Sequence, residues 1–472
     1  MWADEARWFL LPWALLAALV AGGLLLLQPD RRRIDLFSPT AFAAWSHVLP
    51  AYVGGAIVLA LGFRPPVLRL LNIPDDAFVD TIAYALLGFV SLGVGFAAPF
   101  AGAVGRALGA RLPSRDWQPE AALVPALLLL GVGTIAALQA LDTGLMGYQV
   151  AADVGPFDAA LVISSLVATS LAFAILGVIA CSPAHPAVRA VAASALVARA
   201  GADMLFTGRR GALLQYALIV AAAYACSGRR IRLRHVASLS LAFAATVITG
   251  LAYGSTFRAL KGGESVVGLA ATAGTVDLAA RQTLSRGVGG TAGYVRDRFV
   301  ERLEIISNAA VVVANYRRLE PFERAYGLDD NITTSFVGAF VPRLLWPDKP
   351  PASDPRAFAD LYYGFRNAFA VTPTADLLRN YGPFGVPIGM AALGLLLRVI
   401  YATLIEGQRL VMWRVAAYIT VLTTVSYEGF FGSIVPMLVR TIGLSALCLI
   451  GVAMLTRLMP GGRARAGTPP TG

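Results

Sequence analysis

Paired arginines interrupt the apolar sequence at Thr207-Gly-Arg-Arg-Gly211, immediately before another apolar run. Arginine presents a planar fork of donors that matches a phosphate group, and it stays charged at physiological pH. Arg199 and Asp203 precede the motif and stand four residues apart, so they share one helix face. Ionisable groups at the rim of an apolar span are costly and often functional. Arg209 or Arg210, together with Arg199, would bind a phosphate group, or the pair would anchor the span to lipid headgroups.

Two further arginines, Arg258 and Arg379, stand at the ends of a long and less apolar stretch. If that stretch folds back on itself, both side chains approach the same end of the molecule, although for each residue alone a helix-end anchor is the more frequent explanation. Asp376 precedes Arg379 by three residues. Its carboxylate would act either as a general base on a hydroxyl group or as a partner of Arg379.

The same stretch contains Trp346 with a cation on each side, Arg343 and Lys349. This arrangement predicts either contact with lipid headgroups or binding of an anionic substrate. Glu428, in a later apolar run, would be a carboxylate at the mouth of a site or a member of a buried ion pair.

Metal-dependent and nucleophilic chemistry are not expected. No histidine lies in the long stretch, and its only Asp pair consists of the adjacent residues Asp329 and Asp330, which are typical of a turn. No metal-ligand spacing of cysteine and histidine occurs. The histidines of the chain are His47, His185 and His235, and its cysteines are Cys181, Cys226 and Cys448. We therefore predict no metal and no cofactor.

The elements that must position these groups are membrane helices. The chain of 472 residues is 57% hydrophobic and 14% charged, and it repeats apolar windows long enough to cross a hydrocarbon layer of ~30 Å. We predict an all-α polytopic membrane protein with about eleven spans. They fall near Trp8–Leu27, Thr40–Phe63, Phe78–Phe100, Ala121–Leu141, Phe157–Cys181, Ala187–Phe206, Gly211–Cys226, Val236–Tyr253, Pro383–Leu404, Trp413–Phe430 and Ile434–Leu455.

The spans and the charges predict four regions. Residues 1–254 form a bundle of about eight spans, 255–382 a large loop, 383–457 three further spans, and 458–472 a disordered cytoplasmic tail. Because arginine clusters favour the cytoplasmic side, the loop is expected on the extracytoplasmic side, and Arg209 and Arg210 lie on the same side against the charge rule. An apolar stripe from Gly293 to Arg318 predicts an amphipathic helix in the loop.

This organisation resembles the Wzy-type oligosaccharide repeat-unit polymerases, to which the O-antigen ligases are related. The resemblance rests on many spans, on the outward Gly-Arg-Arg-Gly motif and on one late outer loop, and it covers about the second half of the chain. The residues that carry it are Thr207–Gly211, Tyr253–Arg258, Val341–Pro350 and Thr372–Gly385.

The resemblance implies a GT-C-like, metal-independent glycosyltransferase of the bacterial cytoplasmic membrane, with its active face extracytoplasmic. Its donor and acceptor would be glycans linked to undecaprenyl pyrophosphate; membrane lipids and a chain-length regulator are further candidate partners, and no nucleic acid is expected. We assign catalysis to Asp376, Arg210 and Arg258. Binding of the pyrophosphate and sugar is assigned to Arg199, Arg209, Arg343, Lys349 and Arg379.

Two alternatives remain at this point. An O-antigen ligase would share the layout, but the ligase relatives use a histidine in the outer loop, and this loop has none. Among the polymerases that this chain resembles, a glutamate often stands at the position of Asp376, which is a departure from their pattern. A flippase or transporter for lipid-linked sugars would be expected to show related halves and ionisable groups near the bilayer midplane.

Overall fold

The computed structural model describes residues 6–28, 35–63, 71–143, 156–208, 212–227, 233–261, 268–341, 346, 354–364 and 371–459. These residues form helices and no β-sheet. The predicted tail at 458–472 lies outside the described residues beyond position 459.

Seventeen helices longer than three residues are found in the described part of the chain. They are α1 Leu11–Leu26, α2 Pro39–Ala60, α3 Asp75–Ala97, α4 Pro99–Arg111, α5 Pro119–Asp142, α6 Pro156–Cys181, α7 Pro186–Thr207, α8 Ala212–Cys226, α9 Leu233–Lys261, α10 Leu269–Ser285, α11 Gly287–Leu303, α12 Ile306–Glu323, α13 Asn331–Phe340, α14 Pro355–Tyr363, α15 Pro373–Leu404, α16 Met412–Thr424 and α17 Phe431–Leu458.

Eight helical segments among the described residues are long and apolar enough to cross a membrane, which is what a polytopic α-helical membrane protein requires. They correspond to the first six predicted spans, the ninth and the eleventh. The segments are Trp8–Leu26, Pro39–Ala60, Asp75–Ala97, Pro119–Asp142, Val162–Cys181, Pro186–Thr207, Pro373–Leu404 and Phe431–Leu458.

The other three predicted spans coincide with α8, α9 and α16, so the predicted count of eleven is not confirmed. The helix α16 has 13 residues, and at 1.5 Å per residue it is about 20 Å long. That length is short for a complete crossing.

The chain divides into two compact units. Unit 1 comprises Met1–Leu112, Arg296–Gln408 and Thr424–Arg440, and unit 2 comprises Pro113–Val295, Arg409–Thr423 and Thr441–Gly472. The predicted loop, 255–382, is therefore shared between the two units. Proximity in the sequence did not indicate this division, because it depends on which helices bury their faces against each other.

Unit 1 is organised around α15, which packs along α3 and α4. The contact with α3 brings the two backbones together without side chains between them. A Cβ atom at Gly95 would lie 2.0 Å from the carbonyl oxygen of Ala391, and one at Gly394 would lie 2.1 Å from that of Leu92. Larger residues at these two positions would push the helices apart.

The helix α15 begins with a cap and contains a kink. Thr372 accepts a hydrogen bond from the amide of Ala375, and Pro373 occupies the first turn, where a missing N–H group is tolerated. At Gly382 the backbone adopts φ +67° and ψ −167°, which divides α15 into a short N-terminal segment and a long apolar one. Pro383 follows, so the amide that a continuous helix would use is absent.

Part of the predicted outer loop packs on unit 1 as short helices. The helix α12 contacts α3, α14 and α15, and α13 contacts α15. The amphipathic helix predicted from Gly293 to Arg318 is interrupted, because α11 ends at Leu303 and α12 begins at Ile306. Its second half becomes part of the core, with Ile306, Ala310 and Val312 buried.

In unit 2, α5 packs on α6, and α7 and α8 also contact α6. The helices α9 and α10 pack on each other and each contacts α7. Tyr253, Phe257 and Ala279 form a small apolar core between α9 and α10. This core places the C-terminal end of α9 beside the end of α7.

Candidate functional site

Arg199, the first of the predicted binding residues, is already paired with a residue on its own helix. Its guanidinium forms an ion pair with Asp203 one turn later on α7. The other oxygen of Asp203 accepts a hydrogen bond from the hydroxyl of Tyr216 on α8, and Tyr216 stacks on Phe173 with ring centroids 3.9 Å apart. The carboxylate thus links α7 to α8, and Arg199 contributes to the position of these helices.

The Gly-Arg-Arg-Gly motif begins at the end of α7. Gly208 terminates the helix in the left-handed conformation, φ +58°, as is usual for a C-terminal glycine. A Cβ atom at this position would lie 2.3 Å from the ring of Phe257 on α9. The motif therefore starts in direct contact with the residue that precedes Arg258. Arg209 and Arg210 themselves lie outside the described residues.

Three cations gather around the C-terminal end of α9, and we call Arg258, Lys261 and Arg286 the cationic edge. Arg286 donates a hydrogen bond of 2.5 Å to the hydroxyl of Thr256, and its guanidinium lies 4.2 Å from the ring centroid of Tyr294. The hydrogen bond to Thr256 holds the side chain of Arg286, which comes from the turn between α10 and α11, against α9. The carbonyl end of a helix attracts cations, which favours such a cluster even before a ligand is bound.

Lys261 is partly buried and lies close enough to Arg258 for the two positive charges to repel each other. Its partial burial and the neighbouring Arg258 lower the pKa of the Lys261 ammonium group. A bound anion would relieve both effects, because it compensates the lost hydration and the like charge. These residues are cationic side chains of the kind that can bind an anion.

In unit 1, Arg379 lies in a buried polar network. Its guanidinium donates to Asp376 over 2.8 Å and to Asn331 over 3.0 Å. It also donates to the carbonyl oxygen of Leu328 over 2.8 Å and pairs with Glu323 at 3.0 Å. The side chain is 0% exposed. Arg379 therefore joins α12, the segment before α13, and α15.

Asp376 is sealed within this network. One carboxylate oxygen accepts from Arg379 and from the amide of Asn380, the latter over 3.2 Å. The other oxygen accepts from the backbone N–H of Gly432, 3.1 Å away in the first turn of α17. With both oxygens engaged and no exposed surface, Asp376 acts here as a partner of Arg379. Its predicted role as a general base stays a prediction.

Glu323 carries the unbalanced charge of the network, because Arg379 faces two carboxylates. Burial raises the pKa of Glu323, and the nearby Arg379 opposes that shift. The hydroxyl of Tyr362 on α14 donates to Glu323 over 2.6 Å. Burial, followed by the charge of Glu323, raises the pKa of Tyr362, so its proton stays on the phenol.

An apolar groove of about 530 Å³ runs along the outside of α15 in unit 1. Small residues form its floor, Gly385, Gly389 and Ala392, and Phe384 at its rim is 80% exposed. At one end, the hydroxyls of Tyr381 and Thr333 form a hydrogen bond of 2.7 Å. The groove is completed by Phe336, Leu377, Tyr381, Ile388, Leu393, Leu396, Phe431 and Val435.

The predicted site residues thus fall into three groups. Arg199 and Arg258 belong to unit 2, and Asp376 and Arg379 belong to one network in unit 1. Arg209, Arg210, Arg343 and Lys349 lie outside the described residues.

Sequence reasoning missed several members of these sites. Lys261 had a local signal, because it stands three residues after Arg258 on one helix face. Arg286, Glu323 and Tyr362 had none, because each meets its partner only through long-range packing.

Comparisons with protein-family models, curated proteins and solved structures found no match to this chain. The resemblance to oligosaccharide polymerases therefore stays a prediction from the sequence.

Proposed function

We propose that this protein is a membrane-bound glycosyltransferase that joins oligosaccharide repeat units linked to undecaprenyl pyrophosphate at the extracytoplasmic face of a bacterial cytoplasmic membrane. The acceptor hydroxyl attacks the anomeric carbon of the donor glycan. The bond from that carbon to the pyrophosphate oxygen breaks, and the pyrophosphate leaves with the electron pair. The proton of the acceptor hydroxyl ends on the released pyrophosphate or in solvent.

The cationic edge is the observation that carries this proposal. Negative charge builds on the pyrophosphate as its bond to the sugar breaks, and fixed cations stabilise that charge. Arg258 acts electrostatically on Lys261, and Arg286 bonds to Thr256, two residues before Arg258 on the same helix. Gly208, the residue before Arg209, packs on Phe257, the residue before Arg258.

The apolar groove supports a lipid-linked substrate by a separate argument. Its floor of small residues between bulky side chains suits a long, flexible hydrocarbon such as a polyprenyl chain. From Phe384 to Leu396 the helix rises roughly 18 Å, a length that accommodates several isoprene units. The hydroxyl pair of Tyr381 and Thr333 gives one end of the groove a polar terminus.

The decisive experiment is elongation of a lipid-linked repeat unit by the purified protein in lipid nanodiscs. The wild type should produce a ladder of glycans, and Arg258→Ala and Arg286→Ala should each leave mainly single repeat units. Losing one charge-stabilising contact costs about 2.7–4 kcal/mol in comparable sites, a rate loss of roughly 100- to 1000-fold.

Arg281→Ala is the matched control for this experiment. Arg281 lies in unit 2 on α10, is exposed and pairs with Asp277 one turn away, so its removal should leave the ladder unchanged. Long glycans from both Arg258→Ala and Arg286→Ala would refute the role of the cationic edge. Transfer of glycan to lipid A–core, with no repeat-unit ladder, would instead identify a ligase.

One observation favours a different function. The ion pair of Arg199 and Asp203 lies within Pro186–Thr207, a candidate membrane span, and transporters place ionisable groups there. A flippase would move a fluorescent lipid-linked sugar across proteoliposomes without extending it. Transport that Asp203→Asn abolishes, in the absence of any elongation, would establish this second candidate.

A further inference from the structure

The short helix α13 in unit 1 has a polarity opposite to that of a helix that faces water. Its outward side is apolar, because Phe336, Val337 and Phe340 are 51%, 51% and 62% exposed. These positions are one, three and four residues apart, so they share one face of the helix. Three of the four buried residues are polar or glycine, and the four are Asn331, Ile332, Ser335 and Gly338. A helix on a water-facing surface turns its apolar stripe inward instead.

Two polar contacts fix the rotation of α13 about its own axis. Asn331 accepts a hydrogen bond of 3.0 Å from the guanidinium of Arg379, which is completely buried. The hydroxyl of Thr333 bonds to that of Tyr381 over 2.7 Å. Turning the apolar face of α13 inward would break the first contact and remove a hydrogen-bond partner from a buried charge, which is costly. The outward position of the two phenylalanines is therefore built into the fold.

The exposed face of α13 continues the outer surface of α15. The helix α15 is a candidate membrane span, and Phe384 and Ile388 on its outer side are largely exposed. Phe336 of α13 lines the same groove as these two residues. Outward apolar residues of a membrane span are in contact with lipid hydrocarbon. The apolar face of α13 therefore borders the same hydrocarbon as the outside of α15.

The depth of α13 follows from the length of α15 and from the charges nearby. Beyond the kink at Gly382, the segment 383–404 of α15 rises roughly 33 Å, which is enough to cross a hydrocarbon layer of ~30 Å. Because α13 contacts α15 close to the start of that segment, it lies at the edge of the layer. No residue of α13 carries a charge, whereas the exposed Asp329 and Asp330 precede it. Carboxylates are costly in hydrocarbon, so this end of the helix points to water.

We propose that α13 is a membrane-inserted helix. Phe336, Val337 and Phe340 lie among the acyl chains beside α15, while Asp329 and Asp330 stay in water. Lipid hydrocarbon is the partner that fits this face, because an anionic headgroup would find no cation on α13 and would be repelled by the two carboxylates. Part of the predicted outer loop then belongs to the membrane, and the groove along α15 opens sideways into the lipid.

Site-directed spin labelling tests the position of α13 and does not require transferase activity. The three native cysteines, Cys181, Cys226 and Cys448, are replaced by alanine, and a nitroxide is attached to the Phe340→Cys variant of the full chain in liposomes. Oxygen concentrates in hydrocarbon and a nickel chelate stays in water, so the ratio of their collision rates with the nitroxide reports its surroundings. For Phe340→Cys we expect the ratio to shift strongly toward oxygen.

Matched positions calibrate the collision ratio. Ile388→Cys lies on the outer side of the α15 span and should report lipid. Arg324→Cys follows the end of α12, where the native side chain is 89% exposed, and should report water. Val337→Cys is a smaller change than Phe340→Cys and should also report lipid, so it decides the question if Phe340→Cys fails to fold.

Three results would overturn the proposal. A ratio at Phe340→Cys and Val337→Cys equal to that of Arg324→Cys would place the face of α13 in water. Immobilised nitroxides that neither reagent reaches would show that protein, such as a second copy of the chain, covers this face. A ratio at Asp330→Cys as lipid-like as that of Phe340→Cys would contradict an acidic end in water.

Discussion

Arg379 and Asp376 form an ion pair of 2.8 Å, and the side chains of both residues are completely buried. The pair stands in the N-terminal segment of α15, before the kink at Gly382. Through Glu323 and Gly432 it holds α12 and α17 to the same place. The loop helix α12 is thus attached to a membrane helix by charge as well as by apolar packing.

Removing one partner of this network should destabilise the protein strongly. Arg379→Ala leaves two buried carboxylates without a cation, and breaking a buried pair in this way costs about 3–5 kcal/mol. The thermal unfolding midpoint of the detergent-solubilised protein should fall markedly. Arg324→Ala is the control, since Arg324 is 89% exposed and its partner Asp329 is 3.9 Å away, and its midpoint should match the wild type.

Asp376→Asn separates structure from catalysis. Asparagine keeps the shape and can still accept from Arg379, so we expect a smaller stability loss than for Arg379→Ala and residual elongation activity. If the Asp376→Asn variant had the wild-type unfolding midpoint but no elongation activity, the result would support Asp376 as a catalytic base.

The network also predicts how stability changes with pH. Because burial raises the pKa of Glu323 in the folded protein, the folded state holds this proton more tightly than the unfolded state. Stability should therefore fall as pH rises from the ordinary glutamate pKa through the raised folded value. Glu323→Gln should flatten that part of the stability–pH curve, and an unchanged slope would show that another group is responsible.

Replacing Gly208 by a residue with a side chain should disturb the start of the Gly-Arg-Arg-Gly motif. Gly208→Ala places a Cβ atom 2.3 Å from the Phe257 ring, at a positive φ. The left-handed conformation alone costs about 1–2 kcal/mol with a Cβ atom. We expect a lower unfolding midpoint and reduced elongation.

Gly201→Ala is the matched control for Gly208→Ala. It lies on the same helix, α7, with open space at its Cβ position, so alanine should stabilise the helix by about 0.5–1 kcal/mol. Equal effects of the two substitutions would show that contact with Phe257 is unimportant.

Binding of the lipid pyrophosphate should depend on the proton of Lys261. Its pKa is lowered by burial and by Arg258, and a bound anion raises it, so binding favours the charged amine. Affinity for undecaprenyl pyrophosphate should therefore decline in the alkaline range at a lower pH than an ordinary lysine would cause. Lys261→Met should bind more weakly and lose this pH dependence; a decline that persists in the variant would assign it elsewhere.

The membrane character of the chain could be predicted from its sequence, because hydropathy is a local property. In lipid every backbone polar group must be satisfied within a helix or closed barrel, so the apolar windows near Asp75–Ala97 and Pro119–Asp142 indicate helices without knowledge of their neighbours. The helical stripe after Gly293 was detectable for the same reason, although its interruption between Leu303 and Ile306 was not.

Local spacing also pointed to Arg199 and Arg258 in unit 2 and to the pairing of Asp376 with Arg379, three residues apart on one helix. It could not reveal that Glu323 joins that pair, that His47 meets Tyr427, or that Gly208 rests on Phe257. Sequence alone indicated the long apolar helices and which residues carry charge. Only the tertiary structure decided which charges form buried ion pairs, because packing between distant helices sets both burial and partners.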